Sequence, residues 1–171
     1  MDSRIHKLKY SAKLISLFYV PLFLVVFFIV PFCLRFFNVD FYNKNLLAVV
    51  GIVFFGNVFL AIFTQISNYI IEAYNIEGKT RDYLYRNFTD CFYRGSAGFL
   101  EIILYTISFS LHLESLVAGY LLLKTVSIWQ DKDNFNSKKE GLHTAILRIA
   151  IVVSLLIALG ASYYLRKFIN N

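Results

Sequence analysis

Residues 98–130 read GFLEIILYTISFSLHLESLVAGYLLLKTVSIWQ, and the way this stretch meets a bilayer decides the fold. It is 33 residues long and carries Glu101, His112, Glu114 and Lys124. As one helix it would extend about 50 Å at about 1.5 Å per residue, against about 30 Å of hydrocarbon. Glu114 would then sit at mid-depth, where an acidic side chain costs about 2.5–3.5 kcal/mol on insertion scales. A helical hairpin turning near His112 and Leu113 removes both difficulties, because it moves Glu114 to the head of the returning arm. It also places Glu101, eleven residues before His112, at the depth of Lys124, eleven after Leu113, so that the two can pair. The arms are short for a full crossing, at about 14–17 residues each against about 20, which leaves re-entrant forms open. The turn has neither Gly nor Pro.

Outward from this stretch the chain stays apolar. Of its 171 residues 58% are hydrophobic, 18% aromatic and 16% charged, and its mean hydropathy is +0.59. Soluble domains average about 45–50% apolar and about 25% charged. A net charge of +6 invites a nucleic-acid reading, yet the basic residues lie in short patches between apolar runs, which is how membrane topology is written. No nucleic-acid partner is expected. Cys33 and Cys91 stand alone, and His112 and His143 have no second ligand at metal-binding spacing, so neither metal nor cofactor is expected.

The first span is read at 14–37. Its uncharged core runs from Leu14 to Leu34, with Pro21 and Pro31 expected to bend it, and the basic start before it leads into a run too long for a cleaved signal. The second span, 45–71, holds Asn57 and Gln65 eight residues apart, within about 80° on a helix, and hence facing protein. The last span, 142–165, bears Arg148 near its start and repeats Ala150, Ser154, Ala158 and Ser162 at every fourth residue, a ridge over which another helix can approach closely. Between the second span and the hairpin, residues 80–94 read as an amphipathic helix. Leu84, Phe88, Cys91 and Phe92 share one face, and Asp82, Arg86, Asp90 and Arg94 alternate in sign on the other. Two placements stand open for it: lying in the membrane interface, or docked on the spans or a partner.

The expected architecture is therefore all-α: a polytopic transmembrane bundle in one membrane domain, 1–171. It has three full spans plus a membrane hairpin over 97–130, giving four to five membrane helices, and an interfacial amphipathic helix. With the N-terminus cytoplasmic and the hairpin crossing fully, eleven Lys and Arg fall inside and four outside; a single crossing gives ten and five. The positive-inside rule favours the hairpin with a cytoplasmic N-terminus; the expected location is a plasma (bacterial inner) membrane.

Gly98, Glu101, Glu114, Gly119 and Lys124 followed by Thr125 form a pattern that resembles the hairpin of a family of small bacterial membrane proteins of unknown function, over about a sixth of the chain. In that family an Arg commonly follows the first Glu, where Ile102 stands here, and a Ser follows the Lys, where Thr125 stands. The resemblance implies a helical hairpin in the membrane and carries no activity with it.

Glu101, Glu114, Lys124 and Arg148 are candidate functional residues, since ionisable groups inside a membrane are expensive. No phosphate loop, nucleophile elbow, HExxH or CxxC motif occurs. The expected role is a non-enzymatic structural or accessory subunit that assembles with itself or with a membrane-protein partner in the lipid bilayer. The alternatives are a small oligomeric channel or transporter lined by Asn57, Gln65, Glu101 and Lys124, and an intramembrane enzyme using Glu114 with His112.

Overall fold

The computed structural model of the chain describes residues 2–35, 43–74, 88–130 and 138–170. Within them every regular element is helical: α1 (Asp2–Leu24), a π-helical turn (Val25–Ile29), α2 (Val30–Arg35), α3 (Lys44–Tyr74), α4 (Phe88–Ser110), α5 (Glu114–Gln130) and α6 (Lys138–Ile169). Successive long helices alternate in direction, so the bundle has a base, which holds Asp2, and a tip, which holds the turn between α4 and α5. Three helices among the described residues are long and apolar enough to cross a membrane: Leu8–Cys33, Lys44–Ser67 and Ala145–Ile169. The four to five membrane helices read from the sequence reduce to these three on length and apolarity. The helices also run past the expected limits of the first and last spans, from Asp2 in place of residue 14 and over Lys138–Ile169 in place of 142–165. Lys and Arg are good helix formers, and a helix goes on into the headgroup zone after its apolar stretch ends.

The π turn has a local cause. The Val30 N–H reaches back five residues to the Val25 carbonyl. Pro31 has no N–H to give, and in regular α geometry its ring would press on the carbonyl of Phe27. A widened turn immediately before it removes that conflict. Phe23 and Phe27 then meet Phe54 of α3 with ring centroids 5.6 and 5.8 Å apart, edge-on arrangements that favour aromatic contact.

α3 and α6 make the most extensive contact in the bundle. Gly56 permits it: a Cβ there would stand 2.5 Å from Ile157 Cγ2. Ser154, Ala158 and Ser162 are buried and Ala150 is partly buried, so the small-residue ridge faces the interior of the protomer. Toward the tip, Val49, Val53, Ile102, Tyr105, Val117, Ala158 and Ala161 close into one apolar cluster.

Of the expected amphipathic helix, residues 80–87, with Asp82, Leu84 and Arg86, lie outside the described residues. The remainder, 88–94, is no separate interfacial element, since it continues unbroken through Gly95 and Gly98 into α4. Its apolar face docks on α1. Cys91 is fully buried with its Sγ 3.7 Å from the Leu14 carbonyl, and the Phe92 ring lies edge-on to Phe18 at 5.7 Å. Gly95 serves this contact, for a Cβ there would stand 2.7 Å from the Phe18 ring.

α4 and α5 are joined by a tight turn at 111–113. The Leu113 N–H bonds to the Ser108 carbonyl at 2.8 Å and the His112 N–H to Phe109 at 3.4 Å. His112 itself takes φ 57°. This is a Schellman stop with histidine where glycine is usual. Arg166 of α6 also donates to the Phe109 carbonyl, placing a cation at the C-terminus of α4, where the helix dipole favours it. The outside of the bundle is apolar, with Phe28, Phe32, Phe55, Phe59, Leu122 and Leu156 exposed. Surface of this kind is stable against hydrocarbon and a liability in water.

Candidate functional site

Three helical faces line a partly open cavity of about 430 Å³ in the base half of the bundle. α3 contributes Asn57, Leu60, Ala61, Thr64 and Gln65, α4 contributes Arg94, Ala97, Gly98 and Glu101, and α6 contributes Leu147, Ala150, Ile151 and Ser154. On each helix these positions recur at three and four residues, the repeat of a single face. Tyr19 of α1 and Lys124 of α5 complete the lining. Gly98 keeps the wall open beside Asn57, since a Cβ there would lie 3.1 Å from the Asn57 Oδ1.

The tipward end is charged. Lys124 Nζ donates to both oxygens of Glu101, at 2.6 and 2.7 Å, and the Tyr120 hydroxyl donates to Oε1 at 2.9 Å. Tyr120 precedes Lys124 by one helical turn, so both fall on the same face of α5. The two charged side chains are largely shielded, with 19% of Glu101 and 28% of Lys124 exposed. A pair so placed gains little net stability over an apolar pair, but losing one partner leaves an uncompensated charge.

The other polar groups are held by the scaffold. The Ser11 hydroxyl donates to Gln65 Oε1 at 2.9 Å, which leaves the amide nitrogen as the part of Gln65 that can serve a ligand. Asn57 Nδ2 reaches the Gly95 carbonyl at 3.4 Å, a long contact. Thr64 and Ser154 return their hydroxyl protons to carbonyls of their own helices, Leu60 and Ile151, as such residues do inside helices. Past Glu101, among the described residues, Ile102 and Tyr105 are fully buried and pack with Val53, Val117 and Ala158.

Asn57, Gln65, Glu101 and Lys124 thus share one cavity. Glu114 and Arg148 do not join them. Glu114 opens α5 at the tip, half exposed, with its Oε1 3.7 Å from His112 Nδ1, too far for a hydrogen bond. Ten residues, about 15 Å of helix, separate it from Lys124. Arg148 is exposed on α6 beside the lining residue Leu147. Among the described residues no group of three or more His, Cys, Asp or Glu side chains could hold a metal ion.

Tyr120, Tyr19 and the cavity role of Arg94 were not read from sequence. Tyr120 had a usable signal in its spacing of four from Lys124. Tyr19 had none, since its hydroxyl meets the Asn57 carbonyl at 3.4 Å only through the packing of α1 on α3. Comparison with family models, with curated proteins and with solved structures finds no match for this chain.

Proposed function

We propose that this chain is a non-enzymatic accessory subunit of a bacterial inner membrane, with a cytoplasmic N-terminus and with α4 and α5 inserted as a hairpin beside the three long spans. The observation that carries this reading is the blind end of the polar cavity. A conducting protomer needs polar groups from face to face, and here Ile102, Tyr105, Val53, Val117 and Ala158 seal the tipward half. The cavity charges are also turned on each other, Lys124 and Tyr120 to Glu101. Groups that bond to each other within one protomer hold a shape better than they pass an ion. The outer face of α5, with Leu116, Leu122, Leu123 and Val126 exposed, remains available for lipid or a neighbouring membrane protein.

Two measurements test the proposal. Purified chain in liposomes should pass no potassium, sodium, chloride or protons above the leak of empty vesicles, and flux that depends on Glu101 and Lys124 would overturn it in favour of a channel. For the hairpin, a cysteine placed at Ser115 should react with an impermeant thiol reagent from the side opposite the N-terminus. Reaction from the same side would show that the arms do not cross.

A further inference from the structure

Away from the cavity, the outward face of α1 has a charged end and an apolar end. Lys9, Tyr10, Lys13, Leu17, Val20 and Leu24 are all exposed. At about 100° per residue they fall within about 100° of arc, on the far side of the helix from Ser11 and Phe18, which are buried against α3 and α4. We infer that this face binds one anionic phospholipid of the leaflet at the base of the bundle, with its phosphate on Lys9 and Lys13 and an acyl chain along Leu17, Val20 and Leu24.

Charge sets the head group. Lys9 and Lys13 stand four residues apart, neighbours on one helical face, and neither ammonium takes part in an ion pair or hydrogen bond among the described residues. α1 has no Asp or Glu after Asp2, so the helix supplies no counter-charge beside them. A zwitterionic head group brings its own cation to this pair, and an anionic one does not. Tyr10 adds an amphipathic ring of the kind that collects at headgroup level, with a hydroxyl that can donate. Depth sets the body. From Lys13 to Leu24 is eleven residues, about 16 Å of helix, against about 15 Å for one leaflet of a hydrocarbon core of about 30 Å. The lysines therefore stand at the phosphates when the apolar stripe meets acyl chain. An acidic peptide or a free anion would use the lysines and leave the stripe unmatched. Other basal cations among the described residues do not repeat the arrangement: Arg94 of α4 is engaged with another group, and Arg148 is the single exposed cation at the base of α6.

The site needs α1 in a bilayer and neither the hairpin nor a subunit role, so its test stands apart from the previous two. Full-length chain is placed in nanodiscs of equal phosphatidylcholine and phosphatidylglycerol with the same acyl chains. The lipid that the chain keeps on release from the disc is read by native mass spectrometry. A lysine at an anionic surface is worth about a fivefold preference, so one phosphatidylglycerol per chain is expected at about thirtyfold over phosphatidylcholine. Lys9→Gln and Lys13→Gln should each lower that ratio about fivefold and together bring it close to one. Arg148→Gln should leave it unchanged. Glycerol phosphate in solution, which has the charge without the chain, should not displace the lipid. A ratio that survives the double lysine variant, an equal fall with Arg148→Gln, or displacement by glycerol phosphate would overturn the proposal.

Discussion

The two arms of the hairpin differ in what holds them. α4 is central: Cys91, Ile102 and Tyr105 are fully buried, and the helix packs on α1, α3 and α6. α5 is peripheral, with Val117 its one buried apolar side chain among the described residues and its principal contact made with α4. Shape complementarity fixes α4. α5 is fixed by a few directional groups, the Schellman turn at one end and Glu101 with Lys124 and Tyr120 at the other. In hydrocarbon, burial of apolar side chains against protein has no solvent drive behind it, because lipid tails are as apolar as leucine. With α5 in the membrane, as proposed above, a helix with so few close-packed neighbours must be held by polar contacts.

The sharpest way to break the difference is to remove one member of the pair. Lys124→Met leaves a shielded carboxylate with only Tyr120 to bond it. Loss of one partner of a buried pair costs about 3–5 kcal/mol, and the partial exposure of these groups brings the expectation down to about 2–4 kcal/mol. The loss should appear as faster thiol labelling along α5 and a lower detergent melting temperature, with α4 unchanged. Glu101→Gln combined with Lys124→Met should recover most of it. If the double variant is as unstable as the single, the pair does more than neutralise charge.

A second substitution probes the opposite kind of contact. Gly56→Ala puts a methyl 2.5 Å from Ile157 Cγ2 at the closest approach of α3 and α6. Overpacking of this kind costs about 1–3 kcal/mol. Ile157→Ala should relieve it, and labelling of α5 should not change in either variant. Labelling that rises with Gly56→Ala would mean that α5 senses the α3–α6 interface and that the two modes of attachment are coupled.

What was legible in the sequence follows the same division. The Glu101–Lys124 pair could be read because a hairpin imposes mirror spacing about its turn, and Asn57 with Gln65 because eight residues bring two side chains to one helical face. The Ala150 to Ser162 ridge was legible for the same reason of period. What depended on packing was not. The end of the amphipathic pattern at Arg94 and the start of the apolar run near Gly98 read as two separate elements, 80–94 and 97–130; Gly95 and Gly98 lie at that junction. In the folded chain they are points of close approach to Phe18 and Asn57, and the helix runs through them. The blind end of the cavity was equally out of reach, because it results from side chains on α3, α4, α5 and α6 meeting at one level, and no local period records that.

The turn offers the smallest test and separates its two possible duties. His112 sits at φ 57°, a region that costs an ordinary L-residue about 1–2 kcal/mol and glycine almost nothing. Its ring is well exposed, and its nearest charged neighbour, Glu114, is 3.7 Å away, so little contact is lost with the side chain. His112→Gly should therefore stabilise the hairpin, by about 0.5–1 kcal/mol once the extra freedom of glycine in the unfolded chain is set against the relief of strain. The gain should show as a small rise in melting temperature and slower thiol labelling of α5 near the tip, leaving labelling of a cysteine at the exposed Leu123, beside Lys124, almost as before. His112→Val, β-branched and hence worse at positive φ, should move both readings the other way. A glycine variant that melts lower would show that the imidazole holds the turn through its own contacts, and α5 would then owe its attachment at the tip to a side chain and not to the backbone stop.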